Sequence, residues 1–428
     1  MLHIKRSFLL CFAVFAANLA SGQVANSPFS TFGLGDTYGN GLAQHQGMGG
    51  VGIGNPSSWY INNQNPALLT YNFVTTFQAG MILENRTIND GSTSLKTGTG
   101  NLNYLVLAFP IKSGKWTTSL GLTPFSSANY KLTTVGKVLN DVSSTITSQQ
   151  TGSGGLNQFY WANGVRVHKN VAVGFRANYL FGSLDSEKTQ TISFLNPQDA
   201  RLLIYQPLLL DKNFIKNFTF STGVYFHKDS LTKKNFRVGG GFVYDFGAKL
   251  NSSRVLRIDQ RSIRGNIVDS TTLINNEPSS FNLPQSFGVG ISAGIPGRWT
   301  VAGDVTISDY TVFNGLNNVS VPTTKGIRGG LGLEYIPNQT SSSSYLRRVT
   351  YRTGVSYERY PYLVNGNEVK DLGINFGVSL PVGISTLDLS LKIGKRGSIT
   401  ENSIDENYFK LYFGMTFNDR WFIKRKFD

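Results

Sequence analysis

The sequence of 428 residues predicts an all-β protein, a fourteen-stranded antiparallel transmembrane β-barrel with an N-terminal plug segment. Three observations predict it: apolar and polar residues alternate along many segments, long and short connections alternate, and the composition suits a barrel. The chain has 47 glycines, 29 phenylalanines and 19 tyrosines, with only 15% charged residues. No segment after residue 22 is long and apolar enough for a membrane-spanning helix. A membrane-spanning chain without such helices must close its backbone hydrogen bonds as a barrel.

The N-terminus is predicted to be a cleaved signal peptide, residues 1–22. A short basic region precedes an apolar stretch, residues 7–20, that is too short to span a bilayer. Small residues then predict cleavage before Gln23. The single cysteine, Cys11, lies in the apolar stretch. The mature chain is therefore expected to contain no disulfide, no thiolate metal site and no cysteine nucleophile.

The strand signal is a period of two, which places successive side chains on opposite faces of a sheet. In the segment 372–380 every second residue is apolar and the residues between are small or polar. In a membrane barrel the apolar row faces lipid and the other row lines the interior. The predicted strands lie near residues 73–84, 102–111, 115–125, 155–168, 170–183, 216–228, 235–248, 281–295, 299–309, 325–336, 346–359, 371–380, 385–395 and 406–418.

The connections support the same fold. After odd-numbered strands they are medium or long, as at 126–154, 184–215 and 249–280, and after even-numbered strands they are mostly short. The serine-rich segment 337–345 is the exception. Long outer loops and short periplasmic turns are typical of barrels in the outer membrane of Gram-negative cells. An even strand number returns the chain to the periplasm, so residues 419–428 are predicted to form a basic periplasmic tail.

Residues 23–72 lack strand alternation and are rich in glycine, asparagine and glutamine. The run 47–54 contains a formal GxGxxG motif, but Asn55 and Pro56 follow it where a nucleotide site requires a helix. Glycines there permit close backbone approach. We therefore interpret residues 23–72 as a folded plug, and residues 73–418 as the barrel.

Two motifs resemble FadL-type outer-membrane transport proteins. In that family an (A/G)MGGA-like segment precedes an Asn-Pro-Ala just before the first barrel strand, and the segment 283–288 is similar to its LPxSxxxG motif. The polar spacer 55–64 departs from the acidic run typical of transporters. The resemblance implies surface capture of hydrophobic compounds such as fatty acids, a gated interior and lateral exit into the membrane. The plug residues that carry the resemblance are Gly47, Met48, Gly49, Gly50, Gly52, Asn65, Pro66 and Ala67.

An apolar stretch in a predicted outer connection is a candidate loop for a hydrophobic ligand or partner. Burial of a ligand in such a loop would contribute about 0.8 kcal/mol per CH₂ group. A strand extension packed on its neighbour is the alternative. The residues are Leu202, Leu203, Ile204, Tyr205, Leu208, Leu209 and Leu210.

A second hypothesis is an accessory or structural subunit of a larger outer-membrane assembly, because some FadL-like barrels, such as the shuttle protein of the type IX secretion system, have that role. The net charge of +15 carries no recognisable nucleic-acid fold, so no nucleic-acid partner is expected. Protein partners or the headgroups of lipid and lipopolysaccharide would meet basic residues in a predicted outer loop, Arg254, Arg257, Arg261 and Arg264.

Enzymatic functions are not predicted. The four histidines show no zinc-ligand spacing, and no serine is accompanied by a motif for a positioned base. We therefore expect no catalytic residue, cofactor or metal. Charged residues within the strands are interpreted as an interior polar network, formed by Arg166, Arg176, Asp304, Arg328, Glu334, Arg352 and Glu358.

Overall fold

The computed structural model describes residues 27–138, 141–193, 205–229, 235–262, 265–316, 322–340 and 344–419. The predicted signal peptide and all but the first residue of the predicted basic tail lie outside these ranges. The strands are β1 (Asp36–Thr37), β2 (Thr75–Asn89), β3 (Ser94–Lys112), β4 (Trp116–Ser127), β5 (Tyr130–Val138), β6 (Asp141–His168), β7 (Val171–Ser193), β8 (Tyr205–Lys228), β9 (Arg237–Asp245), β10 (Ala248–Ser262), β11 (Ile267–Leu283), β12 (Ser286–Ile295), β13 (Trp299–Asp309), β14 (Lys325–Tyr335), β15 (Thr350–Val364), β16 (Asn367–Val382), β17 (Ser385–Ser398) and β18 (Ile404–Asp419).

The helices are short. There are 3-10 helices at Pro28–Thr31, Pro66–Tyr71 and Tyr310–Val312, and one-turn α-helices at Ala43–Gln46 and Ile399–Asn402. Within the described ranges, no helix has the length and apolarity that crossing a membrane requires.

Fourteen strands close into one antiparallel barrel, in the order β2, β3, β4, β6, β7, β8, β9 and β12 to β18. The last strand pairs with the first along its length, from Asp405 opposite Asn89 to Asp419 opposite Thr75. The predicted fold class and strand number are confirmed. Short turns such as Ser113–Lys115 lie at one end, which we take as the periplasmic end.

The two faces of the wall differ as the alternation predicts. On β2, Gln78 and Arg86 point to the interior and are buried, whereas Phe77, next to Gln78 in the chain, points outward and is 40% exposed. Phe77 stacks on Phe417 of β18, with ring centroids 6.3 Å apart. The outer rows therefore present apolar side chains to lipid, and the inner rows carry polar and charged groups.

The three long connections were predicted as loops, and that prediction is wrong. The described parts of 126–154 and 249–280 form the antiparallel pairs β5–β6 and β10–β11, and residues 184–193 and 205–215 extend β7 and β8 beyond the barrel. β8 changes partner on the way, from β9 at Ser221 to β10 at Lys216. Above the membrane both faces of a strand can meet water, so the apolar-polar alternation that marks a barrel strand is absent. On β11 the residues 267–273 are all exposed.

Residues 27–74, here called the N-terminal segment, lie inside the barrel. Its one-turn helix packs against the inner faces of β16, β17 and β18, and its 3-10 helix Pro66–Tyr71 packs against β6, β7 and β8. Leu42, Ile61 and Leu69 of the segment form one buried cluster with Tyr104 and Tyr160 of the wall. The strand β1 of the segment pairs with the end of β4.

Candidate functional site: the barrel interior

The glycine-rich part of the N-terminal segment lies directly against the wall. A β-carbon on Gly54 would lie 2.5 Å from the carbonyl oxygen of Gly290 on β12. Gly49 has a φ of +74°, which favours glycine, and a β-carbon there would meet the carbonyl oxygen of Val355. Met48, which precedes Gly49, is fully buried. Backbone-to-backbone contact of this kind requires the absence of side chains at these positions.

Asn65 fixes the second motif. Its side-chain nitrogen donates to the carbonyl oxygens of Ile53 at 2.9 Å and of Val224 at 3.1 Å, and its side-chain oxygen accepts from the backbone N–H of Ala67 at 3.0 Å. Pro66 opens the 3-10 helix that Asn65 caps. One buried amide therefore connects the glycine run, the helix and strand β8.

Asp304 on β13 binds the glycine run from the other side. Its Oδ2 accepts from the backbone N–H groups of Gly52 at 2.5 Å and of Ile53 at 2.6 Å. Its Oδ1 has no hydrogen-bond partner among the described residues. Sequence reasoning assigned Asp304 to an interior network but did not connect it with Gly52.

Eight charged side chains form a second group of contacts, here called the ion cluster. Asp36 of the N-terminal segment accepts from Arg396 Nη1 at 2.9 Å through both oxygens. Lys392 lies 3.3 Å from Asp371, and Arg86 bonds Glu84 and Glu406. The members are Asp36, Glu84, Arg86, Asp371, Lys392, Arg396, Glu406 and Lys410.

The ion cluster contains four basic and four acidic groups, so its formal charge is zero. Burying charges costs hydration, and mutual attraction offsets that cost only where each charge is paired. Asp36 lies 2.9 Å from Arg396 and 4.0 Å from Arg86, so the cluster ties the N-terminal segment to the wall. Ser27 adds a hydrogen bond of 2.6 Å to Glu406.

A cavity of about 320 Å³ lies between the N-terminal segment and the wall. Its lining is mixed. Charged groups of the ion cluster, Arg176 and Asp304 line it together with aromatic side chains such as Phe125 and Phe246. A ligand there would meet both apolar rings and polar groups.

The cavity reaches a discontinuity in the wall. β3 and β4 pair from Lys112 opposite Trp116 up to Leu105 opposite Leu122, and their ladder ends there. The outer half of β3 continues to Ser94 and pairs with β2, with a bulge at Asn103. We call this break between the outer halves of β3 and β4 the seam. Asn103 lies at the seam and also lines the cavity.

The candidate apolar loop is part of the β8 strand wherever the structure describes it. Leu202, Leu203 and Ile204 lie outside the described residues. Leu210 pairs with Glu187 of β7 and with Arg257 of β10. Leu208 and Leu210 are buried, at 1% and 7% exposure, so they are not free to form an outer ligand loop. The alternative, a strand extension packed on its neighbours, describes these positions.

The candidate basic patch lies on β10 of the outer hairpin, with Arg264 outside the described residues. Arg254 binds Asp211 through two hydrogen bonds of 3.0 and 2.8 Å, and Arg257 lies 2.8 Å from Asp259. Arg261 is half-buried. Two of the arginines are therefore already paired with carboxylates, Arg254 with Asp211 of β8 and Arg257 with Asp259 of β10.

The predicted interior network does line the barrel. Arg328 pairs with Glu358 at 2.5 Å and Arg352 with Glu334 at 2.8 Å. Arg176 donates to the backbone oxygen of Asn63 at 2.6 Å. The ion cluster was missed, although one signal was available. Glu406 and Lys410 fall on the inner row of β18, opposite the apolar row that faces lipid.

Solved structures with a similar fold include two toluene transporters and a FadL homologue. The Ralstonia pickettii toluene transporter TbuX is 13% identical, with a TM-score of 0.54 over 90% of this chain and 98% of that one. The Pseudomonas putida toluene transporter TodX is 15% identical, with a TM-score of 0.55 over 91% and 100%. A Pseudomonas aeruginosa FadL homologue is 12% identical, with a TM-score of 0.54 over 90% and 99%. At these identities the likeness shows the fold, and it confirms the FadL-type architecture.

Sequence comparison gives the family. No curated protein sequence matches the chain. The family model described as BamG matches residues 3–428, which is nearly the whole sequence. The chain is therefore an outer-membrane β-barrel of FadL-type fold, and it belongs to the BamG family.

Proposed function

We propose that this barrel is a channel for the uptake of compact hydrophobic compounds, which pass between its interior cavity and the membrane through the seam. The observation that carries the proposal is that the cavity and the seam meet at the same place in the wall. The wall loses its β3–β4 ladder above Leu105, and Asn103 at that break lines the cavity. The cavity of about 320 Å³ is at the small end of the range of ligand pockets, roughly 300–1,000 Å³. Its size favours compact molecules over extended ones.

Two further points support the proposal. Similar folds occur in proteins described as toluene transporters and as a monoaromatic hydrocarbon channel. The N-terminal segment lies across the lumen, from its 3-10 helix Pro66–Tyr71 against β6, β7 and β8 to β1 on the outer half of β4, and it would act as the hatch of a gated route. In that role Asn65, Pro66 and Ala67 anchor the hatch, and the backbone contacts of Gly49 and Gly54 set its closed position.

The test is to fill the seam. In Asn103→Trp an indole replaces a small side chain that is 9% exposed where the cavity meets the seam. The matched control is Leu107→Trp, on the lipid-facing row of the same strand. Uptake of radiolabelled toluene and oleate is measured in cells that carry each variant in place of the original chain. We expect Asn103→Trp to lower toluene uptake at least about tenfold, because the indole blocks the seam, and Leu107→Trp to leave it unchanged; a tenfold change corresponds to about 1.4 kcal/mol. Oleate is the extended molecule for comparison. If cells that lack the protein take up as much toluene as cells that carry the original chain, the protein is not a channel for it.

A second candidate function is an accessory or structural subunit of a larger outer-membrane assembly. The observation that favours it is the β10–β11 hairpin. Among the described strands β11 pairs only with β10, and residues 267–273 are exposed. An unpaired strand edge is a template for pairing with another chain. Native mass spectrometry of the protein extracted in mild detergent distinguishes the two functions, because stoichiometric protein partners without a small ligand favour the subunit.

A further inference from the structure

The two edges of β4 have different partners along the outer half of the strand. On one edge β4 pairs with β6, with Ser126 opposite Leu156 and Ser127 opposite Gly155. A strand has two hydrogen-bonding edges, so the pairs that β1 makes with Ser126 and Ser127 must lie on the other one. That other edge is the one that faces β3 below Leu122.

The register shows what β1 displaces. In the β3–β4 ladder Leu105 lies opposite Leu122 and Val106 opposite Gly121, so each step outward along β4 matches one step back along β3. Continued at the same register, the ladder would bring Asn101 opposite Ser126. That place is taken by Thr37 of β1, and the backbone N–H of Tyr38 also donates to the carbonyl oxygen of Phe125 at 2.9 Å.

We propose that β1 and the outer half of β3 compete for the same edge of β4. While β1 is docked, β3 cannot complete its ladder and the seam persists. When β1 leaves, β3 pairs with β4 and the wall closes. The N-terminal segment then holds the lateral route open by strand insertion, and its release closes that route.

The interactions on both sides are small enough to exchange. β1 has two paired residues, Asp36 and Thr37. Its further contacts with the wall are those of Asp36 with Arg396 at 2.9 Å and with Arg86 at 4.0 Å, and a hydrogen bond of 3.4 Å from Arg328 to the carbonyl oxygen of Thr37. On the opposing strand, Gly100 and Asn101 are already in extended conformation and pair with Leu83 and Ile82 of β2. Little reordering is therefore needed for β3 to accept β4 on its other edge.

Disulfide trapping measures the competition directly. Residues directly opposite in an antiparallel ladder have Cα separations of about 4.5–5.5 Å, which a disulfide can bridge. The chain has a single cysteine, Cys11, which is replaced by serine. In the variant Thr37→Cys/Asn101→Cys/Ser126→Cys, the sulfur at position 126 can bond to position 37 or to position 101. Oxidation in the membrane, digestion and mass spectrometry of the linked peptides give the ratio of the two products.

We expect the 37–126 product to dominate. Adding Asp36→Asn, which removes the charge that pairs with Arg396, should raise the share of the 101–126 product at least about fivefold, because the loss of a partner from a buried ion pair costs more than the loss from an exposed one. Asp90→Asn, in an exposed hairpin turn, is the matched control and should leave the ratio unchanged. The proposal is overturned if Asp36→Asn does not change the ratio. It is equally overturned if the 101–126 product fails to form after deletion of residues 27–38 in a barrel that still shows heat-modifiable mobility.

The consequence for transport rests on the proposed function and is measured separately. The pair Asn101→Cys/Ser126→Cys is compared with Val301→Cys/Leu333→Cys, a lipid-facing pair in an unbroken ladder. Oxidation of the first pair should abolish toluene uptake and reduction should restore it, whereas the second should leave uptake unchanged. If the trapping ratio shifts as expected but no variant transports either probe, strand exchange stands and the channel does not.

Discussion

Asp304 and Gly52 are 252 positions apart in the chain, yet the carboxylate Oδ2 of Asp304 accepts a hydrogen bond of 2.5 Å from the backbone of Gly52. The same oxygen accepts from Ile53 at 2.6 Å. A single side chain of the wall thus holds the backbone of the glycine run. A carboxylate suits this role because hydrogen bonds to an ionised acceptor are the stronger ones.

Asp304→Asn should loosen the glycine run without removing volume. A hydrogen bond to a charged group contributes about 1.5–3 kcal/mol, and a neutral amide oxygen provides less. We expect the amide hydrogens of Gly52 and Ile53 to exchange with deuterium at least about tenfold faster, as about 1.4 kcal/mol implies. Asp309→Asn, at an exposed strand end where the carboxylate accepts from Thr311, is the control. Unchanged exchange at Gly52 would show that Asp304 does not hold the segment.

Gly54→Ala should displace the N-terminal segment by steric contact alone. The added β-carbon would lie 2.5 Å from the carbonyl oxygen of Gly290, and neither backbone can move freely. Overpacking of this kind costs about 1–3 kcal/mol. Limited proteolysis within residues 27–74 should accelerate. In Gly136→Ala the new carbon meets Ile146 at an ordinary 3.6 Å, so that variant should behave as the original chain. Equal cleavage rates for the two variants would contradict the close-contact account.

Arg396→Met should destabilise the ion cluster more than any surface charge change. It removes one of the two arginines that Asp36 and Glu406 share, and the loss of one partner from a buried ion pair costs about 3–5 kcal/mol. The double variant Arg396→Met/Asp36→Asn should recover part of that loss because it removes one of the uncompensated charges. Arg257→Met on the outer hairpin should cost less than about 1 kcal/mol. Urea unfolding in detergent micelles measures all three, and an absence of recovery in the double variant would mean that Asp36 is not a partner in the cluster.

Acidification should weaken the docking of the N-terminal segment through His45. The side chain is fully buried, its Nδ1 accepts from the backbone N–H of Leu42 at 3.2 Å, and Arg352 is close. Burial, together with the charge of Arg352, lowers the pKa of His45 from 6.5 to about 3. As the pH falls below 6.5, His45 becomes protonated in an undocked segment but stays neutral in the docked one, so the stability of docking declines.

The loss through His45 amounts to about 1.4 kcal/mol per pH unit between pH 6.5 and 3. Above pH 6.5 both states are neutral at this residue and the contribution is constant. Deuterium exchange of residues 43–54 at pH 6.5 and pH 5 measures the effect, after correction for the intrinsic pH dependence of exchange. His45→Asn keeps a neutral acceptor near Leu42 and should remove the difference. A pH dependence that survives in His45→Asn belongs to another group.

The barrel itself was predictable because its determinants are local. The alternation of apolar and polar residues at 372–380 and short turns such as residues 113–115 can both be recognised in a single sequence, and together such signals predict the strand number. The hairpin β10–β11 was not predictable, since residues 267–273 of β11 are exposed on both faces of the strand and leave no periodic signal. The partners Asp36 and Arg396 could not be matched because they are 360 positions apart and meet only through the register of the closed barrel.

The seam also determines where the wall is mechanically weakest. A closed barrel has one joint where its first and last strands meet, and here that joint is bonded from Asp405 to Asp419. A shorter ladder joins β3 and β4, and pairing there stops at Leu105. Under heat or lateral tension this barrel should split beside β3 while the joint between its first and last strands stays intact. β3, β4 and the N-terminal segment would then respond to membrane stress before the other strands do.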